Sequence, residues 1–162
     1  MVGMHGSYAA NMAVSECDLL VSFGARFDDR VTSKLSAFAT NAKIAHIDID
    51  PSSIGKVINV DYPIVGDLRH VLMEISSELS GYEREGIQAW REHLREYERA
   101  HPMSFVDSAD SIKPQWVIKR IGEILGERAL ITTDVGQHQM WVAQFYPFTS
   151  SRARGPSRRR RA

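Results

Sequence analysis

Three short apolar runs, each ended by residues that interrupt regular structure, predict β-strands in the first half of the chain. The first run, residues 18–23, is largely apolar and stops at Gly24, which is typical of a buried strand. The second, residues 43–49, ends at an Asp-Pro pair, and proline cannot continue a central ladder. The third, residues 62–66, contains Pro63, which confines that strand to a sheet edge or places the proline at its start.

Helical patterns separate these strands. Residues 7–16 are rich in alanine and methionine at helical spacing, and residues 67–80 carry one apolar stripe. Asp67 is a suitable N-cap for the second helix, and Gly81 suits the C′ position just beyond its end. The stripe consists of Leu68, Val71, Leu72, Ile75 and Leu79. Strands that alternate with helices predict an α/β fold with a parallel, doubly wound sheet.

The segment 82–110 differs in character, because a narrow apolar seam runs through a strongly charged stretch. This pattern predicts an exposed helix followed by an irregular connection around Pro102. A connector between two domains is the favoured interpretation, since the mixed charges fit the alternative, a calmodulin-type target helix, poorly. The seam consists of Ile87, Trp90, Leu94 and Tyr97.

A second α/β unit is predicted to begin after this segment. Pro114 occupies a first-turn position that tolerates proline, and a helix follows it. Residues 129–133 predict a strand, and residues 137–145 predict another helix. The core-facing positions of the first of these helices are predicted to be Val117, Ile121 and Ile124.

Composition places the chain among ordinary globular proteins, with 43% apolar and 25% charged residues. The single cysteine, Cys17, excludes a disulfide framework and a cysteine-based zinc site. No run approaches the roughly 20 apolar residues that a membrane span requires, so a cytoplasmic protein is expected. The net charge of zero conceals two parts: residues 150–162 hold six arginines and no acid, so the rest has a net charge of −6.

Two clusters of polar residues follow predicted strands, where ligands bind in open α/β sheets. Residues 24–30 (GARFDDR) combine a glycine that permits close backbone approach with two arginines that can bind phosphate or stack on a purine. Asp48 ends the next strand, about twenty residues on, where nucleotide-binding sheets place an acid that accepts ribose hydroxyls. Taken alone, an Arg- and Asp-rich turn is more often a self-paired, solvated surface loop.

A third cluster, residues 134–139 (DVGQHQ), opens the last predicted helix. Free backbone N–H groups at a helix start attract phosphate, and Gln137 and His138 can add donors. A capped helix start with a solvent-facing histidine explains the same pattern equally well. The six histidines show no metal-ligand spacing, and the common glycine-rich and hydrolase signatures are absent from the sequence.

Further segments join these clusters into a pattern that covers residues 1–148. In the first part they are Met4-His5-Gly6, Asn11, residues 17–31 (CDLLVSFGARFDDRV), residues 46–51 (HIDIDP), Ile54-Gly55-Lys56 and Ile64-Val65-Gly66-Asp67. In the second part they are Pro114-Gln115, Val117-Ile118 and residues 132–146 (TTDVGQHQMWVAQFY). The pattern resembles the acetolactate synthase catalytic (large) subunit, a family of thiamine diphosphate (ThDP) enzymes. Its first part is similar to that family's central FAD-binding domain and its second part to the start of the ThDP-binding domain.

The resemblance implies sites for two cofactors. FAD is implied to lie extended across the first domain in a structural role, and the diphosphate of ThDP is implied to bind at the third cluster. The implied FAD-binding residues are His5, Gly24, Arg26, Asp28, Arg30, Val31, Asp48, Ile49, Ser53, Gly66 and Asp67, with Asp48 and Ile49 at the adenosine end. The implied ThDP-binding residues are Val135, Gly136, Gln137 and His138. Met4 and Asp29 are implied to lie near the substrate channel.

The activity that the resemblance implies is decarboxylation of pyruvate and ligation of the two-carbon unit to a second 2-oxo acid, such as 2-oxobutanoate, in branched-chain amino-acid biosynthesis. ThDP, FAD and Mg²⁺ are the implied cofactors. A homo-oligomer and a regulatory small subunit are the implied partners, with no nucleic acid and no membrane. A related ThDP enzyme, such as a glyoxylate carboligase or an oxidase, and a non-catalytic nucleotide-binding module are the alternatives.

Two catalytic parts of that family have no counterpart in the sequence. These are the N-terminal-domain glutamate that activates the aminopyrimidine of ThDP, and the Gly-Asp-Gly motif that binds Mg²⁺. Gly66-Asp67, the only Gly-Asp pair, is followed by leucine. The chain is therefore interpreted as an internal fragment that is inactive alone, without catalytic or metal-binding residues of its own.

The predicted organisation has four parts: a partial FAD-binding domain over residues 1–81, a helical connector over 82–110, the start of a ThDP-binding domain over 111–148, and a basic disordered tail over 149–162. The tail has three interpretations. It could be a nucleic-acid-binding arm, an ordinary disordered terminus, or aberrant sequence after a truncation, and the last is favoured because the resemblance breaks off inside an α/β unit.

Overall fold

The chain forms two compact units in the computed structural model. One unit spans Val2–Pro102, and the other comprises the described residues from Met103 onward. The structure describes residues 1–82, 86–126 and 129–148. The arginine-rich segment 149–162, interpreted above as a tail, lies outside the described residues.

A three-stranded parallel sheet lies at the centre of the first unit, in the order β1-β2-β3. The strands are β1 (Leu19–Phe23), β2 (Lys43–Asp48) and β3 (Tyr62–Val65). All three predicted strands are therefore confirmed, as is the parallel α/β class. Pro63 lies in β3, an edge strand, which agrees with its inability to donate a ladder hydrogen bond.

Four helices accompany the sheet in this unit: α1 (Tyr8–Glu16), α2 (Asp29–Thr32), α3 (Leu68–Glu78) and α4 (Ile87–Ala100). A 3₁₀ turn also forms at Leu35–Ala37. The predicted N-cap of α3 is confirmed, because the Asp67 carboxylate accepts from the N–H groups of Arg69 and His70 at 2.9 and 3.3 Å. Gly81 has φ +87° but lies two residues beyond the C-cap Leu79, so α3 ends earlier than predicted.

Burial in this unit is concentrated in β2. Its residues from Ile44 to Ile47 are buried, and Ile47 is only 1% exposed. The prediction that residues 18–23 form a buried strand is wrong, because Leu19 and Val21 of β1 are 50% and 42% exposed. β1 is an edge strand paired with β2 alone, and no described helix covers its outer residues. The apolar stripe of α3 is only partly covered, because Val71 and Ile75 are half-buried while its three leucines are exposed.

Helix α4 packs on α1 through a polar cluster. The Glu16 carboxylate accepts a hydrogen bond from the Tyr97 hydroxyl at 2.7 Å and lies 2.8 Å from His93 Nε2. The ring of Tyr8 meets Tyr97 edge-on at 5.5 Å between centroids. The hydrogen bond from Tyr97, followed by the contact with His93, holds the pKa of Glu16 below its ordinary value. The predicted exposed helix thus forms, and its seam contacts α1.

The α1–α4 contact is expected to weaken in acid. Because the pKa of Glu16 is lower in the folded chain, its contribution to stability is complete above the unfolded pKa and is lost as the pH falls through the folded value. Thermal unfolding midpoints of wild type and Glu16→Gln should therefore differ most near neutral pH and converge below the ordinary carboxylate range. Glu98→Gln, on the exposed surface of α4, is the control. A difference that stays constant down to pH 2 would contradict the assignment.

The second unit contains α5 (Pro114–Leu125) and α6 (Gln137–Phe145), both as predicted. Helix α5 contacts α6 and the residues that follow it. The contact forms at Gly122, where a Cβ would overlap the Pro147 ring. Tyr146 is 5% exposed, and its hydroxyl donates to the Gly126 carbonyl at 3.0 Å. The predicted core face of α5 is therefore wrong: the residues Val117, Ile121 and Ile124 are 37%, 40% and 60% exposed.

Residues 129–133 do not form the predicted strand. An isolated β-branched run satisfies its backbone groups only beside another strand, and no strand occurs among the described residues of this unit. None of the helices in the described ranges has the length and apolarity needed to cross a membrane.

Candidate functional site

Three chain segments meet at the carboxyl edge of the parallel sheet. The Gly24 N–H donates to the Ile47 carbonyl at 2.8 Å, and the Gly66 N–H donates to the Asp48 carbonyl at 3.0 Å. The loop after β1, the end of β2 and the start of α3 after β3 therefore lie side by side. Open α/β sheets bind ligands at this edge.

The loop after β1 is held by an aromatic residue in an uncommon conformation. Phe27 has φ +53°, which is rare for a bulky side chain, and it is only 6% exposed. Its ring packs edge-on against His46 and Phe38, with centroids 5.0 and 6.1 Å apart. Such local strain is frequent at ligand sites, where surrounding packing holds it in place. The packing of Phe27 thereby fixes the buried side of the loop, while Arg26 extends from its exposed side.

Arg26 is a highly accessible charge of this loop, with a side chain that is 84% exposed. Its guanidinium lies 3.4 Å from the Asp28 carboxylate, so Asp28 orients it. The remaining oxygen of Asp28, Oδ1, is buried without a hydrogen-bond partner among the described residues. Gly24 has φ +62°, and the space where its Cβ would stand is open. The loop thus presents a cation and an accessible backbone, beside a buried carboxylate oxygen that lacks a partner among the described residues.

The N-terminal segment joins this loop through α2. The Met4 N–H donates to the Arg30 carbonyl at 2.9 Å, and Gly3 lies so close that a Cβ would overlap the same oxygen. Asn11 fixes Gly3 from the other side with hydrogen bonds of 2.7 and 3.0 Å to its backbone. Met4 and Val31 line one cavity of about 320 Å³. Met4 is therefore brought beside α2, which carries Asp29, Arg30 and Val31, while His5 is half-buried in the same segment.

Asp48 is anchored in the turn that follows β2. Its Oδ1 accepts from the Asp50 N–H at 2.9 Å, and its side chain is 14% exposed. The Ser52 N–H in turn donates to Asp50 at 2.9 Å, and this hydrogen bond is the main reason why the pKa of Asp50 lies below its ordinary value. Ser53 closes the turn by donating to the Asp50 carbonyl, and Ile49 is 70% exposed.

The third segment, Gly66-Asp67, places the N-terminus of α3 at the same edge. The Asp67 side chain occupies two of the first N–H groups as N-cap, so those groups are not free for a ligand. Gly66 packs against Val71, where a Cβ would come within 3.1 Å of Cγ2. The segment can therefore offer its backbone surface at Gly66 and the Asp67 carboxylate.

The residues implied to bind ThDP lie in the second unit, at the start of α6. No side chain caps this helix, and the Asp134 carboxylate accepts instead from the Val135 N–H at 2.7 Å. The His138 ring folds back over Gly136, since a Cβ there would stand 2.8 Å from Cε1. Gln137 and His138 are exposed. An uncapped helix start with adjacent donors is suited to an anionic group.

Two residues of the first unit escaped the sequence reasoning. In the sequence, His46 is one polar residue within an apolar strand, and Phe27 is an ordinary loop residue. A histidine at a central strand position was the available signal for His46, whereas the conformation of Phe27 has no signature in residue type. Among the described residues, no group of three or more His, Cys, Asp or Glu side chains could hold a metal ion.

Comparisons with known proteins agree with the resemblance noted from the motifs. Residues 1–75 match the family model described as thiamine pyrophosphate enzyme, central domain. The chain is 44% identical over 156 residues to an acetolactate synthase of Mycobacterium leprae, covering 94% of this chain and 25% of that protein. It is 46% identical over 155 residues to acetolactate synthase 1, chloroplastic, of Nicotiana tabacum, covering 94% and 23%. It is 44% identical over 152 residues to the acetolactate synthase large subunit of Lactococcus lactis, covering 94% and 26%. The chain thus spans about a quarter of the length of these relatives.

Proposed function

Because the chain belongs to the acetolactate synthase family of thiamine pyrophosphate enzymes, we propose that it supplies cofactor-binding residues to such an enzyme. Its first unit contributes a FAD site at the carboxyl edge of the sheet. Its second unit contributes a contact with the diphosphate of ThDP. The observation that carries the proposal is the convergence of the loop after β1, Asp48 and Gly66-Asp67 on one edge.

The residues at this edge fit an adenine dinucleotide. Arg26 extends into solvent, where its guanidinium can pair with a phosphate or stack on adenine. Asp48 ends the neighbouring strand with one carboxylate oxygen still available for a ribose hydroxyl. Gly24 leaves the backbone open to close approach, and Asp28 Oδ1 is a buried acceptor that lacks a partner among the described residues. The full proposed set is His5, Gly24, Arg26, Asp28, Arg30, Val31, Asp48, Ile49, Ser53, Gly66 and Asp67.

In the second unit, the proposed role of Val135, Gly136, Gln137 and His138 is to hold a diphosphate at the uncapped start of α6. ThDP supplies the electron sink for decarboxylation when it is bound. Met4 and Asp29 are proposed to face the substrate channel. The Mg²⁺ that accompanies ThDP is assigned to none of the described residues, because Gly66-Asp67, the only Gly-Asp pair in the sequence, lies in the first unit and is followed by leucine.

The whole enzyme is proposed to decarboxylate pyruvate and to join the two-carbon unit to a second 2-oxo acid in branched-chain amino-acid biosynthesis. It is proposed to work in the cytoplasm as a homo-oligomer with a regulatory small subunit. The similarity to acetolactate synthases over most of the chain supports the proposed reaction.

The proposed FAD site is tested by titrating FAD and ADP against wild type, Arg26→Ala and Asp48→Ala. Loss of a hydrogen bond to a charged group costs about 1.5–3 kcal/mol, so each variant should bind roughly ten- to a hundredfold more weakly. Calorimetry or flavin fluorescence gives the dissociation constants. Asp28→Asn should also weaken binding, but less, because it loosens Arg26 rather than removing it.

Arg95→Ala is the matched control, since Arg95 is an exposed arginine paired with a carboxylate in the same unit but on α4. It should bind FAD as wild type does. Equal FAD affinity in wild type, Arg26→Ala and Asp48→Ala would place the nucleotide site elsewhere on the chain. Absence of FAD and ADP binding by wild type would remove the proposed site altogether.

A further inference from the structure

His46 is a buried polar side chain that the proposed site does not use. It lies in the middle of the central strand β2, in register with Ser22 on one side and Pro63 on the other. The residue is 0% exposed, and neither ring nitrogen has a hydrogen-bond partner among the described residues. Its ring lies edge-on to the Phe27 ring, and the two centroids are 5.0 Å apart.

A histidine in this position is costly for the fold alone. An imidazole carries both a donor and an acceptor, and burying them without partners sacrifices the hydrogen bonds they make with water. An apolar side chain of similar size would fill the same space without that penalty. Buried polar groups of this kind occur at functional sites, where stability is sacrificed for another role.

The nearest charged group points to that role. His46 and Asp48 lie two residues apart on β2 and therefore face the same side of the sheet. His46 Nε2 is 4.0 Å from Asp48 Oδ2, which is too long for a hydrogen bond, so the carboxylate must turn towards the ring before the two atoms can bond. The other oxygen, Oδ1, is already held by the Asp50 N–H at 2.9 Å. One hydrogen bond alone leaves a carboxylate free to turn about its Cβ–Cγ bond.

We propose that His46 is a positioning residue, whose Nε2–H fixes Asp48 Oδ2 so that the carboxylate presents a defined lone pair to the ribose hydroxyls of an adenine nucleotide. Each carboxylate oxygen accepts two hydrogen bonds, so Oδ2 can take both the imidazole and a hydroxyl. This inference rests on the proposed function, because it assumes that Asp48 contacts the ribose. His46 acts on the ligand only through Asp48.

The test compares ADP with 2′,3′-dideoxy-ADP, which lacks the hydroxyls that Asp48 would accept. Wild type should prefer ADP, and Asp48→Ala should abolish the preference. His46→Leu should lower ADP affinity roughly three- to tenfold, the range of one hydrogen bond, while leaving dideoxy-ADP affinity unchanged. The same variant should unfold at a higher temperature than wild type, because it removes a buried imidazole whose Nδ1 has no hydrogen-bond partner among the described residues. A residue with only a structural role would change the affinity for both ligands alike.

Ring ¹⁵N chemical shifts of His46 provide a second measurement that needs no ligand and no change at His46. Wild type should show the tautomer protonated on Nε2, and Asp48→Asn should shift that nitrogen. His70→Gln, which removes an exposed histidine of the same unit, should leave the His46 signals in place.

The outcomes separate the two proposals. If wild type binds neither ligand, the proposed function fails and the role of His46 fails with it. If wild type binds but Asp48→Ala keeps the preference for ADP, Asp48 does not contact the ribose and the role of His46 is refuted, while the Arg26→Ala titration still decides on the FAD site. The role of His46 is refuted if Asp48→Ala abolishes the preference while His46→Leu retains it. It is also refuted if the Nε2 shift is indifferent to Asp48→Asn.

Discussion

Gly3→Ala should destabilise the first unit by about 3 kcal/mol, which is roughly a hundredfold in the unfolding equilibrium. Gly3 has φ +87°, where an L side chain costs about 1–2 kcal/mol. Its added Cβ would also overlap the Arg30 carbonyl oxygen and crowd Val31, and overpacking of this kind costs about 1–3 kcal/mol. Both contacts are with backbone, so no side chain can turn away to relieve them. Amide hydrogen exchange of β2 reports the opening free energy of this unit.

Gly24→Ala is the matched control, because it separates backbone strain from steric overlap. Gly24 also has a left-handed φ of +62°, but nothing lies within 4 Å of where its Cβ would be. It should therefore cost only about 1–2 kcal/mol, the penalty of the left-handed conformation. Equal losses for the two variants would mean that the N-terminal segment does not pack on α2 as described.

The Gly3 substitution should also weaken FAD binding at the candidate site. Gly3 holds Met4, whose N–H donates to the Arg30 carbonyl, so displacement of this segment moves α2 and the loop that precedes it. FAD binding by the remaining folded Gly3→Ala protein should be weaker than that of wild type, whereas Arg95→Ala, on α4, should leave it unchanged. The N-terminal segment is thus expected to hold α2 and the loop after β1 in the positions that bind FAD.

The strands and helices of the first unit follow from local pattern, because each rests on interactions within a few residues. The apolar run 43–49 and the N-cap Asp67 are of this kind, and both appear where the sequence predicts them. Burial does not follow in the same way. Residues 18–23 have the composition of a buried strand, yet β1 lies at an edge and its apolar residues are exposed. Pattern shows what a segment can bury, whereas its neighbours determine whether it does.

The second unit shows the same distinction at Gly122 and residues 129–133. An apolar stripe on α5 predicts a core face, but the absence of a side chain at Gly122 determines where Tyr146 and Pro147 approach. A β-branched run predicts a strand, but a strand needs a neighbour to pair with. In the candidate site, Arg26 and Asp48 were accessible to sequence reasoning because they follow strand ends. His46 was accessible only as a polar residue in a central strand, without its burial, and Phe27 was not accessible because its importance lies in backbone conformation.

Ile47→Ala is expected to have a comparably large effect on stability, about 2–5 kcal/mol. Ile47 is 1% exposed in the central strand, so truncation leaves a cavity. The strands on both sides restrict how far the structure can close this cavity. Ile47→Val should cost only about 0.5–1.5 kcal/mol, because it removes a single methyl group. Val65→Ala is the control, since Val65 is a β-branched strand residue that is 60% exposed, and its loss should stay below about 1 kcal/mol.

The position of Ile47 allows packing to be separated from ligand binding. Its carbonyl accepts from the Gly24 N–H, and this backbone contact is unchanged when the side chain is truncated. Ile47→Ala should therefore lower the protection of β2 amides from exchange while the FAD affinity of the folded fraction stays within about twofold of wild type. A parallel loss of FAD affinity would show that the side-chain packing of β2, and not only its backbone, sets the geometry of the carboxyl edge. A loss of stability no larger than that of Val65→Ala would contradict the placement of Ile47 at the centre of the core.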